Sequence, residues 1–119
     1  MKKIAKNRIQ TWFVTGASSG IGKELCLQLL NRGYNVVAIS RRELDYTHDN
    51  ILWYQCDVSD ENSVKNAIDK GIKKFGRIDV LVNNAGISSY GTIEEETIEK
   101  MKQVMDVNFW GSYNTIHLI

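Results

Sequence analysis

Apolar residues recur along this chain with two different periods, and the switches between them mark its elements. Residues 11–15, TWFVT, form a short apolar run that predicts a buried strand leading into a glycine-rich turn. Ile21, Leu25, Leu29 and Leu30 then recur at helical spacing, with Gly33 placed to stop the helix. Residues 35–40, NVVAIS, and 51–56, ILWYQC, predict a second and a third strand, the second apolar on both faces. Asp60 stands where a helix N-cap belongs, and Val64, Ile68, Ile72 and Phe75 repeat at helical spacing as far as Gly76. Residues 79–82, DVLV, predict a fourth strand. From Thr92 onward the pattern is helical to the end, with Glu94, Glu95 and Glu96 in the first turn, where acidic side chains suit the helix dipole. Residues 41–50 are too short and polar for a full helix and predict a turn or a single helical turn.

Strands alternating with helices predict an α/β fold, a doubly wound parallel sheet with right-handed crossovers and cover on both faces. No low-complexity linker or repeat interrupts residues 1–119, so they read as one unit. With 43% apolar residues and a formal charge of +1, the composition is that of an ordinary soluble domain. It lacks the basic excess of a nucleic-acid binder. The basic start, MKKIAKNRIQ, is followed only by WFV before polar residues resume, too little for a secretory signal. No apolar run approaches a membrane span of about 20 residues. Cys26, Cys56, His48 and His117 are isolated from one another, which predicts no metal site. Two buried thiols in a reducing cytoplasm are the expectation.

Candidate chemistry begins at TGASSGIG, residues 15–22, between the first strand and the first helix. Gly16, Gly20 and Gly22 let a ligand approach the backbone, and the helix N-terminus offers free N–H groups to a phosphate. A P-loop needs Gly at position 17 and Ser or Thr after the lysine; this chain has Ala17, and Glu24 follows Lys23. The glycines are spaced four and then two apart, so the G-x-G-x-x-G fingerprint is not matched either.

The spacing T-G-x-x-x-G-x-G resembles the cofactor signature of the short-chain dehydrogenases/reductases. Three further stretches agree with that family in order: Asp57 and Val58 after the third strand, NNAG at residues 83–86, and Asn108 in VNFWG. The resemblance covers nearly the whole chain. It implies the first half of a Rossmann-like sheet, in strand order 3-2-1-4, binding a nicotinamide dinucleotide. Thr15, Gly16, Ser18, Ser19, Gly20, Ile21 and Gly22 would hold the cofactor from the loop. Asp57 and Val58 would lie at the adenine, and Asn83, Ala85 and Gly86 beside the nicotinamide ribose. Ser40 occupies the place where an acidic residue would accept hydrogen bonds from the ribose of NAD, and Arg41 and Arg42 follow it. Arginine is a permanent planar donor suited to a 2′-phosphate, so NADP(H) is expected over NAD(H).

The implied activity is the interconversion of an alcohol and a carbonyl. The alternative is a non-catalytic nucleotide-binding or assembly module. In the family the chemistry is carried by an Asn, matched by Asn108, together with a Ser and a Tyr-x-x-x-Lys pair. The residues four places after Tyr34, Tyr46, Tyr54, Tyr90 and Tyr113 are Ala38, Asn50, Val58, Glu94 and His117, none of them lysine. The chain therefore reads as a cofactor-binding half, inactive alone, whose final run DVNFWGSYNTIHLI is an interrupted helix. Its small-molecule substrate would be recognised by the complete protein. The fourth strand is expected at a sheet edge, with Phe109, Trp110, Ile116, Leu118 and Ile119 short of cover. That surface predicts a homo-oligomer formed through residues 79–119, while the charge balance, the lack of a signal or span and the unpaired thiols predict a cytoplasmic protein with no membrane or nucleic-acid partner.

Overall fold

Strand β2 (Asn35–Ser40) is buried at all six positions, and its neighbours explain why. It pairs in parallel with β1 (Thr11–Thr15) on one side and β3 (Ile51–Gln55) on the other. Val80–Val82, β4, pairs in parallel with β1 and completes the sheet order β3-β2-β1-β4. These facts come from a computed structural model that describes residues 9–87 and 94–119. Asp79 aligns β4 at its start. Its carboxylate accepts the Thr11 N–H at 2.8 Å, its own N–H donates to the Thr11 carbonyl at 2.9 Å, and Arg77 pairs with it.

Alternation along the strands sends side chains to two apolar layers. Val14, Val36 and Ala38 face helix α1 (Gly20–Asn31), which buries Cys26, Leu29 and Leu30 against them. Phe13, Val37 and Ile39 face the other way, onto Val64, Ala67 and Ile68 of helix α2 (Glu61–Phe75). Phe13 is fully buried, so Phe13→Ala removes a large core side chain, a loss on the order of 3–5 kcal/mol. After β4 the chain forms α3 (Ile98–Met105), a π-helical turn (Asp106–Gly111) and α4 (Ser112–Leu118). Val107 and Leu118 pack on the α2 side of the sheet. Residues 41–50 contain no regular helix, as their polarity predicts.

Four details depart from the sequence pattern. Ile21 does not join the buried face of α1; it is 80% exposed, because the helix turns Gly22 and Cys26 inward instead. On α2 the buried stripe is Val64, Ala67, Ile68 and Gly71, which leaves Ile72 largely exposed. Gly71 belongs there because a Cβ would lie 2.8 Å from a Val37 methyl. Glu94, Glu95 and Glu96 precede α3 and are not its first turn; Thr97 caps it by accepting the Lys100 N–H. Thr92, the expected helix start, lies outside the described residues. Leu118 is half-buried, whereas Phe109, Trp110, Ile116 and Ile119 are exposed as expected.

Candidate functional site

The C-terminal ends of the four strands open into one cleft of about 350 Å³. Its floor is the loop between β1 and α1. Gly16 and Gly20 take φ of +66° and +57°, a region closed to most side chains, and this turns the chain sharply into the helix. At Gly22 a Cβ would stand 2.1 Å from the Gly16 carbonyl oxygen, so the first turn of α1 packs directly on the loop backbone. Ala17 N–H donates to the Ile39 carbonyl at 3.1 Å and ties the loop to β2. Ser19, at the N-cap of α1, makes no side-chain cap bond, and no acidic residue occupies the first helical turn. The positive end of that helix is therefore left to whatever enters the cleft.

Residues 41–50 are strapped over α1. The Tyr46 hydroxyl donates to the Ala17 carbonyl at 2.8 Å, and Asp45 pairs with Lys23 at 2.9 Å. Burial, with the Cys26 thiol beside it, pushes the Tyr46 phenol upward, so it stays a neutral donor. The Lys23 ammonium hydrogen bond holds Asp45 below the usual carboxylate range despite some loss of hydration.

The structure gathers most of the residues singled out from the sequence. Gly16, Ser18 and Ser19 line the floor, and Arg41 and Arg42 line one end beside Ser40. Asp57 and Val58 follow β3 into the wall, and Ala85 and Gly86 face them from beyond β4. One Asp57 oxygen accepts from the Ser59 N–H and hydroxyl, at 3.0 and 2.7 Å, leaving the second oxygen to the cleft. Neither arginine guanidinium has an ion-pair or hydrogen-bond partner among the described residues.

Other singled-out residues stand behind the wall. The Thr15 hydroxyl accepts from the N–H groups of Asn84 and Ala85, at 3.0 and 2.9 Å, and so joins the end of β1 to the chain after β4. Asn83 turns away from the cleft and accepts from the Thr115 hydroxyl at 2.6 Å. It is Asn84 that lines the cleft, donating to the Gly16 carbonyl at 3.2 Å. Gly20, Ile21 and Gly22 contribute backbone and shape at the helix start, outside the lining itself. Asn108 sits in the π-helical turn, and its side-chain amide bonds Ile87 twice, at 2.7 and 2.8 Å. That pair of bonds fixes the chain after NNAG against the terminal helices. Gly111 lets the same turn press on Val58, since a Cβ there would lie 2.6 Å from a Val58 methyl.

Cys56, Ile87 and Val107 also line the cleft and were not singled out as site residues. Cys56 follows β3 immediately before Asp57, a signal that adjacency in sequence carries. Ile87 and Val107 reach the cleft through the Asn108 bonds, a long-range contact that no local pattern encodes. Burial pushes the Cys56 thiol up, outweighing a Ser63 hydrogen bond, so it stays protonated and unreactive near neutral pH. Among the described residues no cluster of three or more His, Cys, Asp or Glu could hold a metal ion. No helix there is long and apolar enough to cross a membrane.

A parallel sheet with a glycine turn at the first strand and a cleft across the strand ends defines a nucleotide-binding α/β protein. Comparison with known proteins narrows that class. The family model described as short chain dehydrogenase matches residues 10–119, and the chain belongs to that family. It is 40% identical over 108 residues to an uncharacterized oxidoreductase of Schizosaccharomyces pombe, covering 89% of this chain and 37% of that protein. Among solved structures it is similar to ElxO with NADP bound, at 37% identity and a TM-score of 0.83, covering 92% of this chain and 48% of that one. It is also similar to a 3-ketoacyl-(acyl-carrier-protein) reductase from Brucella melitensis complexed with NADH. There the identity is 30% and the TM-score 0.87, with 91% of this chain and 48% of that one covered. The chain spans 31% to 40% of the length of the first four curated relatives it matches.

Proposed function

We propose that these residues form the cofactor-binding half of an NADP(H)-dependent oxidoreductase that interconverts an alcohol and a carbonyl. Membership of the family and its nicotinamide-bound relatives support the dinucleotide. The preference for the phosphorylated form rests on one observation: two uncommitted guanidiniums at the cleft end where β2 stops at Ser40. A dinucleotide fits the residues present. The glycine loop and the open start of α1 suit its pyrophosphate, because the packing of Gly22 on Gly16 leaves no room for side chains there. The free oxygen of Asp57 suits an adenine amino group, and Arg41 and Arg42 suit a 2′-phosphate. Ala85 and Gly86 would flank the nicotinamide ribose, with Thr15 and Asn83 holding that wall from behind. The bound nicotinamide supplies hydride exchange with the substrate carbon. Asn108 keeps the wall in place through Ile87.

The 119 residues contain no Tyr-x-x-x-Lys, so by themselves they are expected to bind nucleotide weakly and turn nothing over. The substrate in the complete protein is a small alcohol or carbonyl compound. The reading includes a cytoplasmic homo-oligomer, its self-association supported by the exposed run of Met101, Met105, Phe109, Trp110 and Tyr113 on the terminal helices. In the full-length protein, Arg41→Ala should weaken NADPH by about tenfold to a hundredfold, the worth of a charge-assisted phosphate contact, and NADH far less. Equal loss for both cofactors in a calorimetric titration contradicts the assignment.

A further inference from the structure

Ser40 ends β2 with only 5% of its surface exposed, and its one hydroxyl proton is committed inside the protein. It accepts the Trp53 indole N–H at 2.8 Å and donates its single proton to the Arg42 carbonyl. Nothing remains of that hydroxyl to donate to a ribose substituent. One residue earlier, the Arg41 carbonyl accepts from the Gln55 side-chain amide at 3.2 Å. Both donors arise on β3, where the register sets Trp53 opposite Ala38 and Gln55 opposite Ser40. The two arginine carbonyls are thus drawn back onto the sheet, while the two guanidiniums stay exposed at the cleft and unpartnered among the described residues.

We propose that Trp53 and Gln55 are positioning residues for cofactor choice. Acting through Ser40 and the carbonyls of Arg41 and Arg42, they hold the double-arginine turn in the orientation that receives a 2′-phosphomonoester on the adenosine ribose. This rests on the NADP(H) reading above and extends it to residues that never touch the cofactor. An arginine side chain has several rotatable bonds, and a turn free to rotate at its root would spread each guanidinium over many positions. Fixing both peptide groups removes that freedom before the ligand arrives.

Adenosine 2′,5′-bisphosphate and 5′-AMP isolate the effect, since they differ only in the 2′-phosphate. Calorimetric titration of the full-length protein should show the bisphosphate preferred. Trp53→Phe keeps an aromatic ring, though a smaller one, and removes the N–H donor. It should shrink the preference by about threefold to tenfold, the range of one lost neutral hydrogen bond, with 5′-AMP affinity unchanged. Gln55→Ala changes an exposed side chain, so it should fold normally and carry the same test if Trp53→Phe does not fold. A preference kept in full by both variants overturns the positioning role and leaves the NADP(H) reading standing. Equal weakening of both ligands also overturns it, because a general loss of structure does not select for a phosphate. No preference in the unaltered protein overturns both proposals at once.

Discussion

Helices α1 and α2 start in opposite ways, although each follows a strand of the same sheet. At α2, Asp60 accepts the N–H groups of Asn62 and Ser63 at 3.0 and 3.4 Å, and Glu61 adds a second carboxylate in the first turn. The orphan N–H groups and the positive dipole end are answered from within the chain. At α1, Ser19 makes no cap bond, no acid stands in the first turn, and Gly22 lets the helix pack directly on the Gly16 carbonyl. A helix start left unsatisfied at the floor of a cleft is stable only at some cost, which a bound anion offsets. The difference separates a helix end that serves folding from one kept for a ligand.

Gly22→Ala should disturb the start of α1 most. Its methyl would stand 2.1 Å from the Gly16 carbonyl oxygen, so the loop must move. Destabilisation on the order of 1–3 kcal/mol is expected in urea unfolding, with NADP⁺ binding lost in titration. Retained binding would show that the close packing of loop and helix is incidental. Next in size is the cap itself. Asp60→Ala should cost about 0.5–2 kcal/mol, whereas Ser19→Ala should change stability by no more than a few tenths, because no cap bond is removed. Equal losses in the two variants erase the contrast.

A smaller effect comes from Asp79, another carboxylate that serves a backbone N–H. Its partial burial raises its pKa, but Arg77 and the Thr11 N–H outweigh that and hold it below the usual range. A depressed folded pKa contributes stability above the unfolded value, and this is lost as pH falls through the folded one. Asp79→Asn should therefore flatten the fall in stability below about pH 4 and leave its slope near neutrality unchanged. An unchanged acid limb means that the carboxylate does not fasten β1 to β4.

Much of this arrangement was legible in the sequence because it is local. The strands, Asp60, Gly76 and the glycine loop declare themselves within a few residues of where they act. The glycine loop and Ser40 with its two arginines follow from the rule that strand ends carry the site, whereas Asp57 and Val58 rest on the resemblance to the family. What stayed hidden depends on distant partners. Helical periodicity from Thr92 onward assumes a uniform turn, but Asp106–Gly111 is a π-helical turn, whose wider winding shifts the faces beyond it. The Asn108 bonds to Ile87 and the contact of Gly111 with Val58 hold that turn, and each links stretches far apart in the chain. Asn83 and Thr15 belong to recognisable motifs, yet their side chains are committed to Thr115 and to backbone N–H groups. A motif marks a neighbourhood; only the hydrogen-bond partners show which members face the ligand.

The contrast between the two helix starts is tested most directly by titrating NADP⁺ into isotopically labelled full-length protein and following the backbone amides. Large, saturable shifts are expected at Gly16, Gly20, Ile21 and Gly22, with Asn62 and Ser63 unmoved, since their N–H groups already have a partner in Asp60. Saturation without movement at the glycine loop, or shifts of equal size at both helix starts, would contradict that contrast.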